Sequence, residues 1–315
     1  MLSFKNSLSL IVATRDRPEE IAGLLRSLDR QSCPADQIII VDSGSRSIKT
    51  ALDVYKASPL VHIQYSPPSA SGQRNHGLKY VRVGTTLTGF LDDDVVMESK
   101  AIERMMAFWE NAPADLGGAA FNLANHPVLY APRMKGSSLA KHLGLYSDER
   151  GRVLSSGFQT MIGRVSQNCY TDWLPSTASV WRNSLFETIR FDEWFQGYSY
   201  LEDLDFSYRV GKAFRLAVVA DALCFHFPAS SGRGSGLVFG RREVRNRLYF
   251  VSKNRELSKA RCLTTLLART AMSLFLSVRE RKRVYLDRAA GNFLELLRIG
   301  SGSDTRPSTR ISHVA

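Results

Sequence analysis

Three consecutive carboxylates, Asp92, Asp93 and Asp94, close the apolar run Leu87 to Leu91. Acids packed this closely make one another costly to ionise unless a cation or hydrogen-bond donors sit among them. Carboxylate oxygens are hard ligands that suit Mg²⁺ or Mn²⁺, ions that commonly hold substrate phosphates through one or two carboxylates. The triplet alone reads as well as a solvated acidic turn capping a helix that starts near Ser99. A second acidic pair, Glu202-Asp203, stands where a helix running through Arg209 to Lys212 should begin. Acids in a first helical turn also serve the helix dipole, with no chemistry needed. His226 ends the later apolar run Leu216–Phe225, where an imidazole is either a metal ligand or a structural histidine.

The surrounding elements weigh between these readings. Leu8–Ala13 reads as a buried strand, followed by Pro18 at a first helical position and by Ile21, Leu24, Leu25 and Leu28 at helical spacing. Ile38–Val41 is a second strand, closed by Asp42-Ser43-Gly44-Ser45, with a helix to about Lys56. Val61–Tyr65 is a third strand, Gly72 to Val83 a third helix, and Leu87–Leu91 a fourth strand. A helix from Ser99 to Asn111 and a strand Gly118–Leu123 follow. This alternation predicts an α/β fold with a mainly parallel, Rossmann-like sheet. Ligands of such sheets bind beyond the carboxyl ends of the strands. Thr14–Arg17, Asp42–Ser45 and Asp92–Asp94 all fall at those ends, which favours a site over a capping turn.

No Gly-x-Gly-x-x-Gly follows any strand and no phosphate-binding Gly-x-x-x-x-Gly-Lys-Ser/Thr occurs, so a nicotinamide site or a P-loop is unsupported. Periodicity is poor from 125 to 164. Trp173 to Trp181 mixes aromatics with small polar residues, the composition of a substrate-facing wall. Cys33, Cys169, Cys224 and Cys262 are scattered with no Cys-x-x-Cys pair, which argues against a zinc ribbon or a disulfide framework. The N-terminal apolar run Leu8 to Ala13 is too short for a signal-peptide core or a membrane span, so a cytoplasmic protein is expected.

Taken in order, five motifs resemble the inverting glycosyltransferases of family 2, which have the GT-A fold. Val12-Ala13-Thr14-Arg15-Asp16-Arg17-Pro18 is similar to the family's first strand and nucleotide loop, and Val41-Asp42-Ser43-Gly44-Ser45 to its Val-Asp-x-Gly-Ser. Gly72-Gln73-Arg74-Asn75-His76-Gly77 is similar to its Ala-Arg-Asn-x-Gly helix start. Phe90-Leu91-Asp92-Asp93-Asp94 matches its Asp-x-Asp, and Glu202-Asp203 its late acidic pair. The resemblance covers roughly residues 8–230. It implies a nucleotide-diphosphate sugar donor, a hydroxyl acceptor on a glycan or lipid-linked saccharide, and Mn²⁺ or Mg²⁺ as cofactor. Asp94, with Asp92 and His226, would hold the metal. Thr14, Arg15, Arg17, Asp42, Ser43, Arg74, Asp92 and Asp93 would line the donor pocket, with Asp93 the spacer of the acidic motif. Arg233, in the glycine-rich stretch 232–236, would close over the diphosphate. Asp203 would be the general base, with Glu202 orienting groups or binding the acceptor beside Trp173 and Trp181. Ser43 departs from the pattern, since many relatives carry there a second Asp that contacts uracil.

The formal charge of +12 is unevenly spread. Residues 240–315 carry 17 Lys/Arg against 6 Asp/Glu, whereas residues 1–239 are nearly balanced at 25 against 24. Within this basic segment Leu263, Leu266, Leu267, Leu274 and Val278 keep a helical register and are followed by Arg279, Arg281, Lys282 and Arg283. Such a helix either lies on an anionic membrane, at about 1 kcal/mol per basic residue, or packs its apolar stripe on the catalytic body. The organisation expected is a catalytic domain over 1–236, a basic helical extension over 237–299, and a disordered tail over 300–315. The expected place is the cytoplasm, either free or peripherally at the inner face of the cell membrane, with a role in cell-envelope polysaccharide synthesis. Two other classes compete. A catalytically inactive membrane-associated scaffold would not need its acids, and nucleic-acid binding rests on the basic tail alone and lacks any RNA or DNA motif.

Overall fold

The computed structural model describes residues 4–126, 138–142, 144, 146–228 and 235–300. The chain opens with β1 (Leu8–Thr14), α1 (Pro18–Asp29), β2 (Gln37–Asp42), α2 (Lys49–Leu52), β3 (Leu60–Gln64) and α3 (Ala70–Gly77). It continues with β4 (Leu87–Asp92), β5 (Val95–Met97), α4 (Ala101–Glu110), β6 (Leu116–Leu123) and the short α5 (Ser138–His142). Then come β7 (Cys169–Thr171), β8 (Ala178–Arg182), α6 (Glu202–Gly211), β9 (Arg215–His226) and three helices, α7 (Gly236–Lys253), α8 (Lys259–Glu280) and α9 (Arg283–Gly300).

One mixed sheet runs in the order β3-β2-β1-β4-β8-β6-β9-β5, with β7 also on β9. The first four strands are parallel, and their register sets Thr14 beside Asp42 and Ala13 beside Asp92. All three polar clusters therefore open at one edge. Strands β1 and β2 are apolar at nearly every position because both faces are covered. Leu10, Val12, Ile38 and Ile40 join the core shared with α1 and α4, whereas Ile11, Ile39, Val41 and Phe90 join a second core built with Trp181, Phe206 and the C-terminal helices.

Three elements depart from the sequence expectation. The second helix stops at Leu52 and not near Lys56. The third begins at Ala70, because the Ser69 hydroxyl accepts the Gly72 N–H, and ends at Gly77 before a 3-10 turn over Leu78–Tyr80. A Cβ at Gly77 would stand 2.6 Å from Ile11, so the helix end lies directly on the sheet. Strand β8, antiparallel to both β4 and β6, occupies what read as a substrate wall.

The basic extension packs on the body. Val244, Leu248, Phe250 and Val251 of α7 enter the second core. Arg247 is buried, donating to the carbonyl of Gly157 at 2.6 Å with its guanidinium over Phe158. No described helix is long and apolar enough to cross a membrane. The four cysteines form no disulfide.

Candidate active site

Strand β4 delivers its carboxylates to the sheet edge, and the following turn folds β5 back onto the end of β9. Val95 pairs with His226, and the Phe227 N–H donates to the Asp94 carbonyl at 3.0 Å. This pairing of β5 with β9 sets His226 Nε2 3.0 Å from Asp94 Oδ1. Asp92, Asp94 and His226 each offer one ligand atom, and these atoms lie within 4.8 Å of one another. Two carboxylates and an imidazole fit a divalent ion of the Mn²⁺ or Mg²⁺ type better than a soft metal.

Asp93 points the other way. It accepts from the Thr14 hydroxyl at 2.7 Å and from Arg17 Nη1 at 2.9 Å, and is 3% exposed. Burial pushes its pKa up to about 6, against the pull of Arg17 and Thr14. The expected donor contact of Asp93 is thereby corrected: its carboxylate is taken up in tying the loop after β1 to the acidic turn. Thr14 and Arg17 are the other half of that tie, and Arg17 also stands 3.6 Å from Asp94.

Arg74, on α3, is the centre of the cleft. Its Nη2 reaches Asp92 at 2.9 Å and its Nη1 reaches Glu202 at 2.7 Å, with the side chain almost wholly buried. One guanidinium thus connects the acidic turn after β4 to the acidic start of α6. Glu202 and Asp203 both titrate above the ordinary carboxylate range because burial penalises their charge. Arg74 opposes that shift at both, and the repulsion of the two acids and Asp92 adds to it. The Leu204 N–H donates to Asp203 at 2.7 Å. The approach to α6 is unusual: Gly197, Ser199 and Leu201 all have positive φ, of 63°, 50° and 78°. Two of these are not glycine, and each such residue costs of order 1–3 kcal/mol, which the surroundings must offset. Ser71 Oγ and Ser199 Oγ both donate to the Phe195 carbonyl and hold the bend against α3.

At the other end of the cleft, Asp42 is buried and accepts from the Gly44 N–H at 2.7 Å and from Gln64 at 3.1 Å. Ser43 donates to the Tyr65 carbonyl. Arg15 is exposed, 3.7 Å from Asp16. Two residues that sequence reasoning passed over organise this end. Asp16 accepts the N–H groups of Ser45 and Arg46 at 2.7 and 2.9 Å, joining the loops after β1 and β2. Gln73 donates to the carbonyls of both Thr14 and Val41, anchoring α3 under the same two strand ends. Gly44 carries a signal for the first of these: a Cβ there would stand 2.5 Å from the Asp16 backbone nitrogen.

The expected acceptor wall is also corrected. Trp181 is 1% exposed, crosses Phe206 edge-on at 4.8 Å and would overlap any side chain at Gly118. Trp173 is 4% exposed and donates to the Thr160 carbonyl. Rings without accessible surface cannot grip a saccharide. Arg233 lies outside the described residues.

Residues 9–171 match the family model described as Glycosyl transferase family 2. Among solved structures, the chain is similar to Staphylococcus aureus TarS at 17% identity and TM-score 0.52, with 86% of this chain and 44% of that one covered. It is also similar to TarS 1-349 in complex with UDP-GlcNAc, at 17% identity and TM-score 0.52, covering 94% of this chain and 92% of that one. The mannosyltransferase PcManGT from Pyrobaculum calidifontis, in complex with GDP-Man and Mn²⁺, aligns at 11% identity and TM-score 0.53, with 96% and 92% covered. At such identities the likeness is one of fold, the GT-A fold. The chain spans less than half of the longer TarS chain. No curated protein matches the sequence.

Proposed function

The chain belongs to glycosyl transferase family 2, and we propose that it moves a sugar from a nucleotide-diphosphate donor to a hydroxyl of a glycan or lipid-linked saccharide, inverting the anomeric carbon, in cell-envelope polysaccharide synthesis. One observation carries this reading: Asp92, Asp94 and His226 converge at the strand ends and are joined through Arg74 to Glu202-Asp203. The solved structures with UDP-GlcNAc and with GDP-Man and Mn²⁺ lend it support through the shared fold.

The donor's nucleotide lies along Thr14, Arg15, Asp42 and Ser43, in a pocket whose loops are fixed by Asp16 and Gln73. The diphosphate faces the Asp92–Asp94–His226 set. Asp92, Asp94 and His226 would hold a Mn²⁺ or Mg²⁺ ion, which would supply positive charge beside the leaving diphosphate. Asp203 takes the proton of the acceptor hydroxyl as its oxygen bonds to the anomeric carbon. The bond from that carbon to the diphosphate oxygen breaks on the opposite face, so one displacement inverts the centre. Arg74 bonds to Glu202 and aims it, which leaves Asp203 to receive the proton.

Melting shifts with nucleotide sugars, with and without Mn²⁺ or Mg²⁺, test the reading, because a bound ligand raises apparent stability by mass action. Wild-type protein should show a metal-dependent shift with a nucleotide sugar, and Asp94→Ala should lose both that shift and transfer. Undiminished transfer by Asp94→Ala in the presence of a chelator would overturn it.

A further inference from the structure

Helices α8 and α9 carry large apolar side chains on the face turned away from the body. On α8 the side facing the body carries Cys262, Thr265, Leu266, Thr270 and Ser273, all buried. Leu267, Leu274, Phe275 and Val278 stand outside, at 45–80% exposure. Helix α9 repeats the pattern, with Ala289, Gly291, Asn292 and Glu295 buried, and Leu286, Phe293 and Leu297 at 50–56% exposure. At 3.6 residues per turn Leu267, Leu274 and Val278 fall on one face of α8, and Leu286, Phe293 and Leu297 on one face of α9. A surface helix of a water-soluble body turns its apolar stripe inward and leaves the outer face polar, which these two do not. This hairpin holds ten of the seventeen exposed large apolar side chains among the described residues, so the patch is not the scatter found on any surface.

The charge around that face selects its partner. Residues 259–300 carry 9 Lys/Arg against 3 Asp/Glu. Arg279, Arg281, Lys282 and Arg283 cluster at the turn between the helices, where Arg281 takes the left-handed conformation that reverses the chain. Lys282 and Arg283 meet acids only in exposed pairs, Glu280 at 3.4 Å and Asp287 at 3.7 Å, which hold little charge in place. A second copy of the chain would bring another hairpin of the same positive sign. A lipid surface with acidic headgroups supplies the missing negative charge next to an apolar layer.

We propose that the outer face of the α8–α9 hairpin seats in the interface of an anionic bilayer, with its apolar side chains below the headgroups and the turn's cations among them. The extension packs on the body through α7 and through Arg261, which donates to Ser155, so seating the hairpin also fixes the body relative to the membrane. Given the glycosyltransferase reading, on which only this consequence rests, the cleft then meets an acceptor carried by a lipid.

Flotation of the full chain with vesicles of phosphatidylcholine, with and without phosphatidylglycerol, tests the proposal. The protein should float with phosphatidylglycerol vesicles, and added salt or omission of that lipid should reduce recovery severalfold. Phe275→Asp combined with Phe293→Asp should abolish flotation, and Arg281→Glu with Lys282→Glu should reduce it severalfold. Donor-induced melting shifts retained in both variants would show that their folds are intact. If wild-type protein stays with the unbound fraction, or floats equally with both vesicle types at all salt concentrations, the proposal fails whether or not any variant folds. It also fails if the protein self-associates without lipid and the Phe275 and Phe293 substitutions dissolve the assembly, which would assign the face to a second copy. Absence of any donor shift in wild-type protein would instead remove the catalytic reading and leave the flotation result standing.

Discussion

Two of the buried acid–arginine clusters among the described residues are balanced in opposite directions. In the cleft, Asp92, Glu202 and Asp203 share the single guanidinium of Arg74, and burial lifts Glu202 and Asp203 above the usual carboxylate range. In the C-terminal extension, Glu243 of α7 is fully buried and receives Arg269 at 3.0 Å and Arg288 at 2.7 Å, with Arg247 nearby. Burial raises its pKa, yet the surrounding arginines hold it at about 2. An excess of donors makes a carboxylate permanently ionised and structural. An excess of acids leaves carboxylates short of partners and ready to take a proton or a cation, which is how perturbed groups mark functional sites.

That contrast can be broken experimentally, and the largest effect is expected in the cleft. Asp203→Asn should lower turnover by about 10²–10⁴-fold while the donor still shifts the melting temperature, since only the proton acceptor is lost. Unchanged turnover would remove Asp203 from the role of base. Next comes Glu243→Gln, which leaves arginines facing a neutral amide in a buried setting. Removing one partner of a buried pair costs about 3–5 kcal/mol, or roughly 10 °C in melting temperature for a chain of this size. Turnover per folded molecule should be unchanged, and a melting point equal to wild type would show that the cluster does not stabilise the fold.

The two clusters should also separate in acid. As the proposed base Asp203 must be ionised to act, and its pKa lies above the ordinary 3.8, so turnover should fall as pH drops through that raised value. Glu243 is depressed from 4.5 to about 2, so its contribution to stability is complete above 4.5 and is lost only as pH falls from there through about 2. Activity should therefore disappear at a pH where circular dichroism still reports a folded chain. Coincident loss of the two would contradict the contrast. The smallest effect belongs to the loop tie: Asp16→Ala should weaken donor binding severalfold, at about 1 kcal/mol for hydrogen bonds exchanged with water. Calorimetry against the nucleotide would detect it, with turnover at saturation little changed.

Much of this cleft was legible in the chain because strand ends announce themselves. Parallel strands buried on both faces read as apolar runs, and the first polar residues after them must gather at one edge, as Thr14, Asp42 and Asp92 do. His226 follows the same logic at the end of β9. The tryptophans misled for a physical reason. Aromatics among small polar residues describe a sugar-facing wall, but they describe equally an antiparallel strand wedged between two others, where Gly118 makes room for Trp181. Asp93 could not be separated from its neighbours by type; only the fold of β5 back onto β9 decides which carboxylates turn toward Thr14 and which toward His226. Helix α8 shows the limit of periodicity. A repeat of apolar residues reveals a helix but not how its sides are used, and here Leu266 is buried against the body while Leu267, Leu274 and Val278 stand outside.

The left-handed bend before α6 carries one more consequence. Its residues are clamped from both directions: Ser71 of α3 bonds to Phe195, while Asn246 of α7 bonds to the Tyr200 carbonyl and Tyr249 stacks on Trp194 at 3.7 Å. The aim of Glu202 and Asp203 is thus held partly by a helix that belongs, in chain order, to the basic extension. A protein trimmed after Gly236 would keep every motif in the cleft and lose the brace that points two of its acids. The extension is therefore part of the frame that holds the candidate site, and its removal is not a clean way to separate chemistry from location.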